Sequence, residues 1–210
     1  MRLLILGVTG MLGNALFKVF FKDPQHEVWG TLRNENTRRF FAETDQTRLV
    51  SGIDVLNQGV LLSLINRIRP DLIVNCTGII KQLDSANNPL IILPINSLFP
   101  HQLAALCGPL GDRLIQLSTD CVYSGRKGYY QESDISDAED LYGKSKFIGE
   151  LHDCPHAITL RTSGIGHELN SSYGLLEWFL SQQGSVKGYS KAIYSGLPSV
   201  ELARVIKDFV

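Results

Sequence analysis

The sequence predicts an α/β fold in which a doubly wound, parallel β-sheet has helices on both faces. Short apolar runs, typical of strands buried on both faces, alternate along the chain with amphipathic helical patterns. The first apolar run leads through a glycine-containing turn directly into the first helical pattern. Strands that alternate with helices at this spacing form βαβ units with right-handed crossovers, and such units build a parallel sheet.

Six strands and four main helices are predicted in chain order. The first strand, residues 2–7, is continuously apolar, and the helix that follows over 11–21 carries its apolar residues on one stripe. Pro24 and Pro70 end the first two predicted helices. The polar stretch 34–50 is predicted to hold only a short helix. The other strands are predicted at 26–32, 52–55, 71–76, 113–117 and 157–160, and the other helices at 58–68, 95–107 and 142–152.

The composition excludes several classes of protein. The chain has 210 residues, 44% hydrophobic and 20% charged, with a formal net charge of -1, which suits one globular α/β domain with a small appended lobe. We expect no nucleic-acid partner, because no basic cluster is dense enough, and no membrane span, because no apolar run approaches roughly 20 residues. The N-terminus does not resemble a signal peptide, so a cytoplasmic location is expected. Scattered cysteines without metal-binding spacing predict free thiols and no metal site: Cys76, Cys107, Cys121 and Cys154.

The turn after the first strand carries glycines at three spaced positions, Gly7, Gly10 and Gly13. Glycines accumulate in many strand-to-helix turns, so the pattern alone is weak. Its position between an apolar strand and an amphipathic helix is typical of a Rossmann dinucleotide site, where the backbone approaches a pyrophosphate at a helix N-terminus. The sequence therefore predicts a Rossmann-type fold that binds a nicotinamide dinucleotide.

The end of the second predicted strand bears on which nicotinamide cofactor binds. An acidic residue at this place accepts a hydrogen bond from the ribose 2′-hydroxyl of NAD. Here the strand ends at Thr31-Leu32-Arg33, and no carboxylate appears before Glu35. Arg33 could pair with a 2′-phosphate, although a simple surface arginine is the alternative. NADP(H) is favoured, and NAD(H) stays open.

Tyr142 and Lys146 lie four residues apart in a helical segment, so both side chains share one face. A tyrosine pKa near 10 is unsuited to acid–base work at neutral pH unless a neighbouring ammonium stabilises the phenolate, as Lys146 would. An isolated pair of this kind is mostly structural. The catalytic interpretation of this pair is favoured by Ser118 and Thr119, because they follow the fifth strand at the edge where open α/β folds bind ligands. Turn capping is the alternative role for one of these hydroxyls.

With these motifs in place, the sequence resembles the extended short-chain dehydrogenase/reductases, most closely the dTDP-4-dehydrorhamnose reductase branch. The resemblance covers almost the whole chain. It is carried by GVTGMLG at 7–13, RPDLIVNCTG at 69–78, QLSTDCVYSG at 116–125, YGKSKFIGE at 142–150, LRTSGIG at 160–166 and GLPS at 196–199.

The resemblance implies an NAD(P)H-dependent reductase that delivers hydride to C4 of a 4-keto-6-deoxy sugar nucleotide. Tyr142 would donate the proton, Lys146 would orient the ribose and lower the tyrosine pKa, Thr119 would bind the keto oxygen with Ser118 beside it, and Asn96 would support the proton relay. The residues it places at the cofactor, besides Tyr142 and Lys146, are Gly7, Gly10, Met11, Leu12, Gly13, Arg33, Asp54, Val55, Cys76, Thr77 and Gly78.

Other activities on the same scaffold stay open. Related dehydratases carry two adjacent acids, whereas Asp120 here is followed by Cys121, and this favours simple ketone reduction over dehydration or epimerisation. Cys121 and Gly164 stand where the branch usually has aromatic residues, so the sugar is not specified. A non-catalytic NADP-binding regulatory subunit is a further alternative, since related folds serve in that way.

The domain division predicted is a Rossmann domain over 1–166 and a partial substrate lobe over 167–210, interleaved with the last Rossmann elements. The lobe is expected to be small and incomplete, because family members normally continue for several tens of residues past the helix that starts near Val200. A homodimer is suggested by analogy of fold alone.

Overall fold

The structure, a computed structural model, describes residues 1–210 and contains eight strands and eight α-helices. The strands are β1 Arg2–Leu6, β2 Glu27–Thr31, β3 Leu49–Val50, β4 Leu72–Asn75, β5 Arg113–Leu117, β6 Ala157–Leu160, β7 Gly164–Ile165 and β8 Leu197–Pro198. The helices are α1 Met11–Phe21, α2 Glu43–Gln46, α3 Gln58–Ile68, α4 Pro89–Leu93, α5 Phe99–Leu110, α6 Leu141–Ile148, α7 Leu175–Leu180 and α8 Ser199–Asp208.

Six strands form one parallel sheet in the order β3-β2-β1-β4-β5-β6. This order confirms the predicted doubly wound Rossmann-type fold, whose direction of winding reverses between β1 and β4. Crossing chains leave a crevice at such a reversal, beyond the carboxyl ends of the two strands. The glycine turn leaves β1 at this place, so the fold puts it where a dinucleotide is expected.

Helices cover both faces of the sheet, because alternate residues of each strand point to opposite sides. Leu3 and Ile5 of β1 face one cluster of buried residues, to which α1 and α8 contribute. Leu4 and Leu6 face a second cluster, formed with α3 and α5. Strands buried on both faces explain the continuous apolar runs from which the sheet was predicted.

The predicted third strand, 52–55, is wrong in position. The strand that pairs with β2 is β3, Leu49–Val50, within the stretch that was expected to hold only a short helix. The chain turns after it at Gly52, whose φ of +75° is left-handed, and the amide of Ile53 then donates to the Leu32 carbonyl. The same polar stretch holds a 3-10 turn at Glu35–Phe40 and the short helix α2.

The helix predicted over 95–107 is part of a longer helical run, Pro89–Leu110, which joins α4 and α5 through a π-helical segment at Pro94–Leu98. By length and composition this run of 22 residues could cross a membrane, which corrects the expectation that no apolar run is long enough. Phe99, Leu103 and Cys107 of this run are buried against the sheet, as in the core helix of a globular protein.

The helix predicted over 142–152 ends earlier, at Ile148. Beyond it the chain contacts β6 and the residue that follows this strand. The carboxylate of Glu150 pairs with Arg161, and the amide of Leu151 donates to the Thr159 hydroxyl at 2.9 Å. These contacts replace the helical hydrogen bonds that the periodic pattern had suggested.

The last part of the chain divides between exposed and packed segments. Residues 161–198 contain no buried residue, although β7 and β8 pair there. In contrast, α8 packs on α1 and buries Leu202, Ala203 and Ile206 in the core. The division predicted at residue 166, between the Rossmann domain and the substrate lobe, stays a prediction. The packing of α8 on α1 is what a lobe interleaved with the last Rossmann elements would require.

Gly13→Ala tests the close packing of the glycine turn. A β-carbon on Gly13 would lie 2.3 Å from the carbonyl oxygen of Gly7, and because this neighbour is backbone, we expect a loss of stability of about 1–3 kcal/mol. Gly59→Ala in α3 is the matched control, since its added β-carbon would meet nothing closer than 3.6 Å. We expect the control to be neutral or stabilising by up to about 1 kcal/mol. Equal urea-unfolding midpoints for the two variants would contradict the packing argument.

Candidate cofactor and active site

The glycine turn leads from the end of β1 into an uncapped helix N-terminus. Gly7 has a φ of +81°, which turns the chain sharply, and α1 begins at Met11 after Gly10. No side chain caps the helix, and its first turn holds no acidic residue. The amides at the N-terminus of α1 are therefore available to an anion, and no carboxylate repels it. These features fit a pyrophosphate.

The end of β4 lies against this turn. A β-carbon on Gly7 would come within 2.9 Å of Thr77, which shows how closely the predicted Cys76-Thr77-Gly78 segment approaches the glycines. Asn75 fixes that segment, because its amide oxygen accepts from both the backbone amide and the hydroxyl of Thr77, at 3.1 and 2.6 Å. The structure thus brings these two parts of the predicted cofactor site together.

Asn96 lies in the π-helical segment, and its side chain is fully engaged. The amide oxygen accepts from the backbone of Ile79 at 2.8 Å, and the amide nitrogen donates to the Ile79 carbonyl and to the Ser145 hydroxyl at 3.0 and 3.2 Å. Ser145 in turn donates to the carbonyl of Tyr142. Asn96 therefore joins the loop after β4 to helix α6, while its side chain forms no hydrogen bond with Tyr142 or Lys146.

Lys146 is buried, and its ammonium donates to the carbonyl oxygen of Leu117 at 2.7 Å. A β-carbon on Gly78 would lie 3.9 Å from Nζ, so the ammonium sits beside the loop that follows β4. Burial lowers the pKa of Lys146 to about 8, and the negative charge of Glu150 opposes this shift. The same lysine therefore bonds to the end of β5 and lies near the loop that follows β4.

Tyr142 is partly buried one helical turn before Lys146. Burial raises the pKa of Tyr142 to about 12, and hydrogen bonding with Thr119 acts in the opposite direction. This corrects the expectation that Lys146 holds the tyrosine pKa down. The ammonium is directed to the Leu117 carbonyl, and the burial of the phenol dominates. The phenol is protonated at neutral pH, as a proton donor must be.

The two hydroxyls after β5 have different surroundings. Ser118 donates its hydroxyl proton to the buried carboxylate of Glu150 at 2.7 Å, so its side chain is committed away from the site. Thr119 accepts from the backbone amide of Cys121 at 3.2 Å and lies beside Tyr142. Of the two predicted groups, only Thr119 stands next to the tyrosine, and the capping role also applies to it.

Sequence reasoning about single residues missed a buried ion pair behind the site. The Glu150 side chain is completely buried and accepts two hydrogen bonds from the Nε of Arg161, at 2.9 and 3.1 Å, and one from its Nη2 at 2.7 Å. The guanidinium also stacks over the Tyr123 ring at 5.1 Å. No local spacing signalled this pair, because α6 ends at Ile148 and Arg161 lies 11 residues after Glu150, beyond β6.

The residues predicted at the adenosine end lie at the sheet edge. Arg33 follows β2, is exposed and forms no hydrogen bond or ion pair, so its guanidinium is free. Arg38 is instead engaged with Glu35, Ser51 and backbone carbonyls. Asp54 is exposed and caps the turn that follows by accepting from the amide of Leu56, while Val55 is half-buried.

The arrangement brings together a place for an anion, a proton donor and a buried cation. Free amides lie where a pyrophosphate would bind, a free arginine lies beyond the second strand, and a neutral phenol lies near a buried ammonium at the carboxyl ends of β4 and β5. No group of three or more His, Cys, Asp or Glu residues is placed to hold a metal ion. All four cysteines are free thiols, and burial raises the pKa of Cys76 and of Cys107 to about 12.

Comparison with known proteins identifies similar chains. A family model described as the RmlD substrate binding domain matches residues 1–180. Methionine adenosyltransferase 2 subunit beta from Danio rerio is 32% identical over 170 residues, covering 76% of this chain and 46% of the relative. A probable low-salt glycan biosynthesis reductase from Haloferax volcanii is 27% identical over 184 residues, covering 84% of this chain and 59% of the relative. The chain thus spans about half the length of these curated relatives.

A solved structure supports the fold over the whole chain. The crystal structure of a hypothetical dTDP-4-dehydrorhamnose reductase from Sulfolobus tokodaii superimposes with a TM-score of 0.80 at 25% identity, covering 100% of this chain and 72% of the other. The resemblance predicted from the sequence motifs is confirmed at the level of the family.

Lys146→Met tests the cost of the buried ammonium. Burial lowers the pKa of Lys146 from its ordinary value of 10.5 to about 8, so between these pH values the unfolded state binds more protons and folding stability rises with pH. The free energy of unfolding of the wild type, relative to Lys146→Met, is expected to rise by about 2–3 kcal/mol between pH 7 and pH 10. Chemical denaturation at the two pH values measures it.

Lys144→Met is the matched control for that experiment, because Lys144 is exposed on the same helix and forms no ion pair. Its difference from the wild type is expected to be independent of pH. A pH-independent difference for Lys146→Met as well would contradict the depressed lysine pKa.

Proposed function

The chain belongs to the RmlD substrate binding domain family, and from this premise we propose that it is an NAD(P)H-dependent reductase of a 4-keto-6-deoxy sugar nucleotide. The observation that carries the proposal is the placement of Tyr142 and the buried Lys146 on one helical turn of α6, beside the Thr119 hydroxyl at the carboxyl edge of the sheet. The named reductases among the relatives support this reaction class.

A reduced nicotinamide cofactor, held by the glycine turn and Lys146, would supply the hydride that reduces C4 of the sugar. Thr119 positions the keto oxygen by hydrogen bonding, and Tyr142 donates its proton to that oxygen as the negative charge develops. A pKa of about 12 makes the phenol a weak acid, and the Lys146 ammonium is directed to the Leu117 carbonyl and not to the phenol. In this proposal Lys146, one helical turn from Tyr142, therefore acts by holding the ribose of the cofactor.

Ser118 and Asn96 act as positioning residues in this proposal. Ser118 links the end of β5 to Glu150, and Asn96 links the loop after β4 to Ser145 of α6. Both therefore fix the backbone that carries Thr119, Gly78 and Tyr142. Residues 1–166 form the proposed cofactor-binding part, and 167–210 supply the substrate-side part.

A second candidate function is a non-catalytic, cofactor-binding regulatory subunit. It is favoured by the 32% identity to methionine adenosyltransferase 2 subunit beta. The presence of Tyr142, Lys146 and Thr119 together favours the reductase. The two candidates differ in one measurable property, because only the reductase oxidises NADPH.

Turnover is tested by mixing the protein with NADPH and a panel of dTDP-, GDP- and UDP-linked 4-keto sugars, and following absorbance at the nicotinamide band. We expect oxidation with at least one of them.

Tyr142→Phe is expected to lower kcat by about 10²- to 10⁴-fold, as for loss of a general acid, and to leave NADPH affinity nearly unchanged. Tyr129→Phe, at a fully exposed tyrosine, is the matched control and should retain activity. NADPH binding without oxidation of any substrate would exclude the reductase in favour of the regulatory subunit.

Cofactor preference is tested at Arg33. We propose that its free guanidinium pairs with the 2′-phosphate of NADP(H), so Arg33→Ala is expected to weaken NADPH binding about tenfold or more and NADH binding much less. Arg126→Ala removes an exposed arginine paired with Glu139 and serves as the control. Isothermal titration with both cofactors gives the affinities, and an equal loss for NADPH and NADH would make Arg33 an ordinary surface residue.

A further inference from the structure

A groove of about 760 Å³ runs between α1 and α8, on the face of the molecule that these two helices cover. One stripe of α1 forms its floor and wall, consisting of Met11, Asn14, Ala15, Lys18, Val19 and Lys22. The opposite wall comes from α8 and from the segment around Gly166. The volume lies within the range of about 300–1,000 Å³ that is usual for small-molecule sites.

The outer part of the groove is positively charged. Lys18 and Lys22 are exposed and form no ion pair, so both ammonium groups are free. Arg204 and Lys207 also line this part, although they are paired with Glu201 and Asp23. Asp208 is the only carboxylate in the lining. An anion placed between Lys18 and Lys22 would therefore meet two cations without competing with an existing carboxylate partner.

The inner part of the groove holds an unpartnered polar side chain. Asn14 is 7% exposed and lines the groove, and its Nδ2 atom is buried without any hydrogen-bond partner. A buried amide without a partner costs free energy, so a native structure that keeps one needs an explanation. Because the oxygen and nitrogen of an asparagine amide exchange places by a simple flip, either end can be turned to an occupant of the groove.

The spacing of these groups defines the shape of a ligand. Asn14, Lys18 and Lys22 follow one another at four-residue intervals, so at 1.5 Å per residue the first and the last lie about 12 Å apart along the helix axis. Between them the floor is apolar, formed by Ala15, Val19 and Leu176. The groove thus offers, in order, a polar side chain, an apolar floor and two neighbouring cations. This order matches a molecule with a polar end, a flat or apolar body and a phosphate.

We propose that the groove between α1 and α8 is a second binding site, separate from the glycine turn, for a phosphorylated small molecule of mononucleotide size. The phosphate lies between Lys18 and Lys22, the body packs on Val19 and Leu176, and the polar end bonds with Asn14. Met11 borders both sites, since it stands at the N-terminus of α1, and the remaining groove residues lie outside the predicted cofactor contacts.

Isothermal titration with AMP, UMP and inorganic phosphate, each in the absence and presence of saturating NADPH, tests the proposal. We expect a mononucleotide to bind under both conditions, and more tightly than phosphate. The double variant Lys18→Glu/Lys22→Glu is expected to weaken this binding at least tenfold, and Asn14→Ala to weaken it severalfold. NADPH affinity should not change in the charge-reversed variant, whose altered side chains are exposed and so are not needed for folding.

Lys187→Glu/Lys191→Glu is the matched control, because it makes the same change of net charge at two exposed lysines that line none of the groove. It should leave mononucleotide binding intact. Three results would overturn the proposal: no binding of any probe, binding that NADPH displaces, or equal loss in the two double variants. The titrations without NADPH do not depend on reductase activity, so this site and the proposed function can fail separately.

Discussion

The buried carboxylate of Glu150 is the interaction on which the geometry of the site depends. A single buried charge is costly unless donors surround it, and this one accepts from Ser118 and from the guanidinium of Arg161. Its partners come from the ends of β5 and β6, while Glu150 itself follows α6. These contacts therefore hold together the ends of β5 and β6 and the residues after α6, and so they fix Thr119, after β5, relative to Tyr142 and Lys146 on α6. Breaking such a buried pair typically costs about 3–5 kcal/mol.

A second set of polar contacts gives the carboxyl edge of the sheet its rigidity. The amide of Asn75 donates to Gln116 on the adjacent strand at 2.7 Å, and its oxygen holds Thr77. Asn96, in the π-helical segment, joins the loop after β4 to α6 by hydrogen bonds. Segments of π-helix are frequent at functional sites, where the added residue redirects a side chain or backbone group. Satisfied networks of this kind specify a single arrangement, because each member would be costly to leave unpaired.

The two titratable groups of the site are shifted in opposite directions by the same cause. Burial disfavours the charged form of each, which raises the pKa of Tyr142 and lowers that of Lys146. At neutral pH the folded protein thus keeps Tyr142 as a neutral acid, while the charged form of Lys146 is only weakly favoured over the neutral amine. Burying this ammonium lowers the stability of the fold, and the negative charge of Glu150 partly offsets that loss. Groups whose surroundings displace their pKa values in this way are typical of catalytic sites rather than of surfaces.

The sequence by itself determined the doubly wound parallel fold class, the helices on both faces, the glycine turn and the placement of Tyr142 and Lys146 one helical turn apart, because each is encoded in local periodicity or short spacing. Tertiary structure alone decided that Ser118 serves Glu150, that Lys146 is directed to Leu117, that the third strand lies at Leu49–Val50, and that a basic groove forms between α1 and α8. These features depend on contacts between residues far apart in the chain. Ser118 and Glu150 are 32 residues apart, and α1 and α8 come from opposite ends of the sequence. A local pattern carries no information about which distant partner a buried polar group will find.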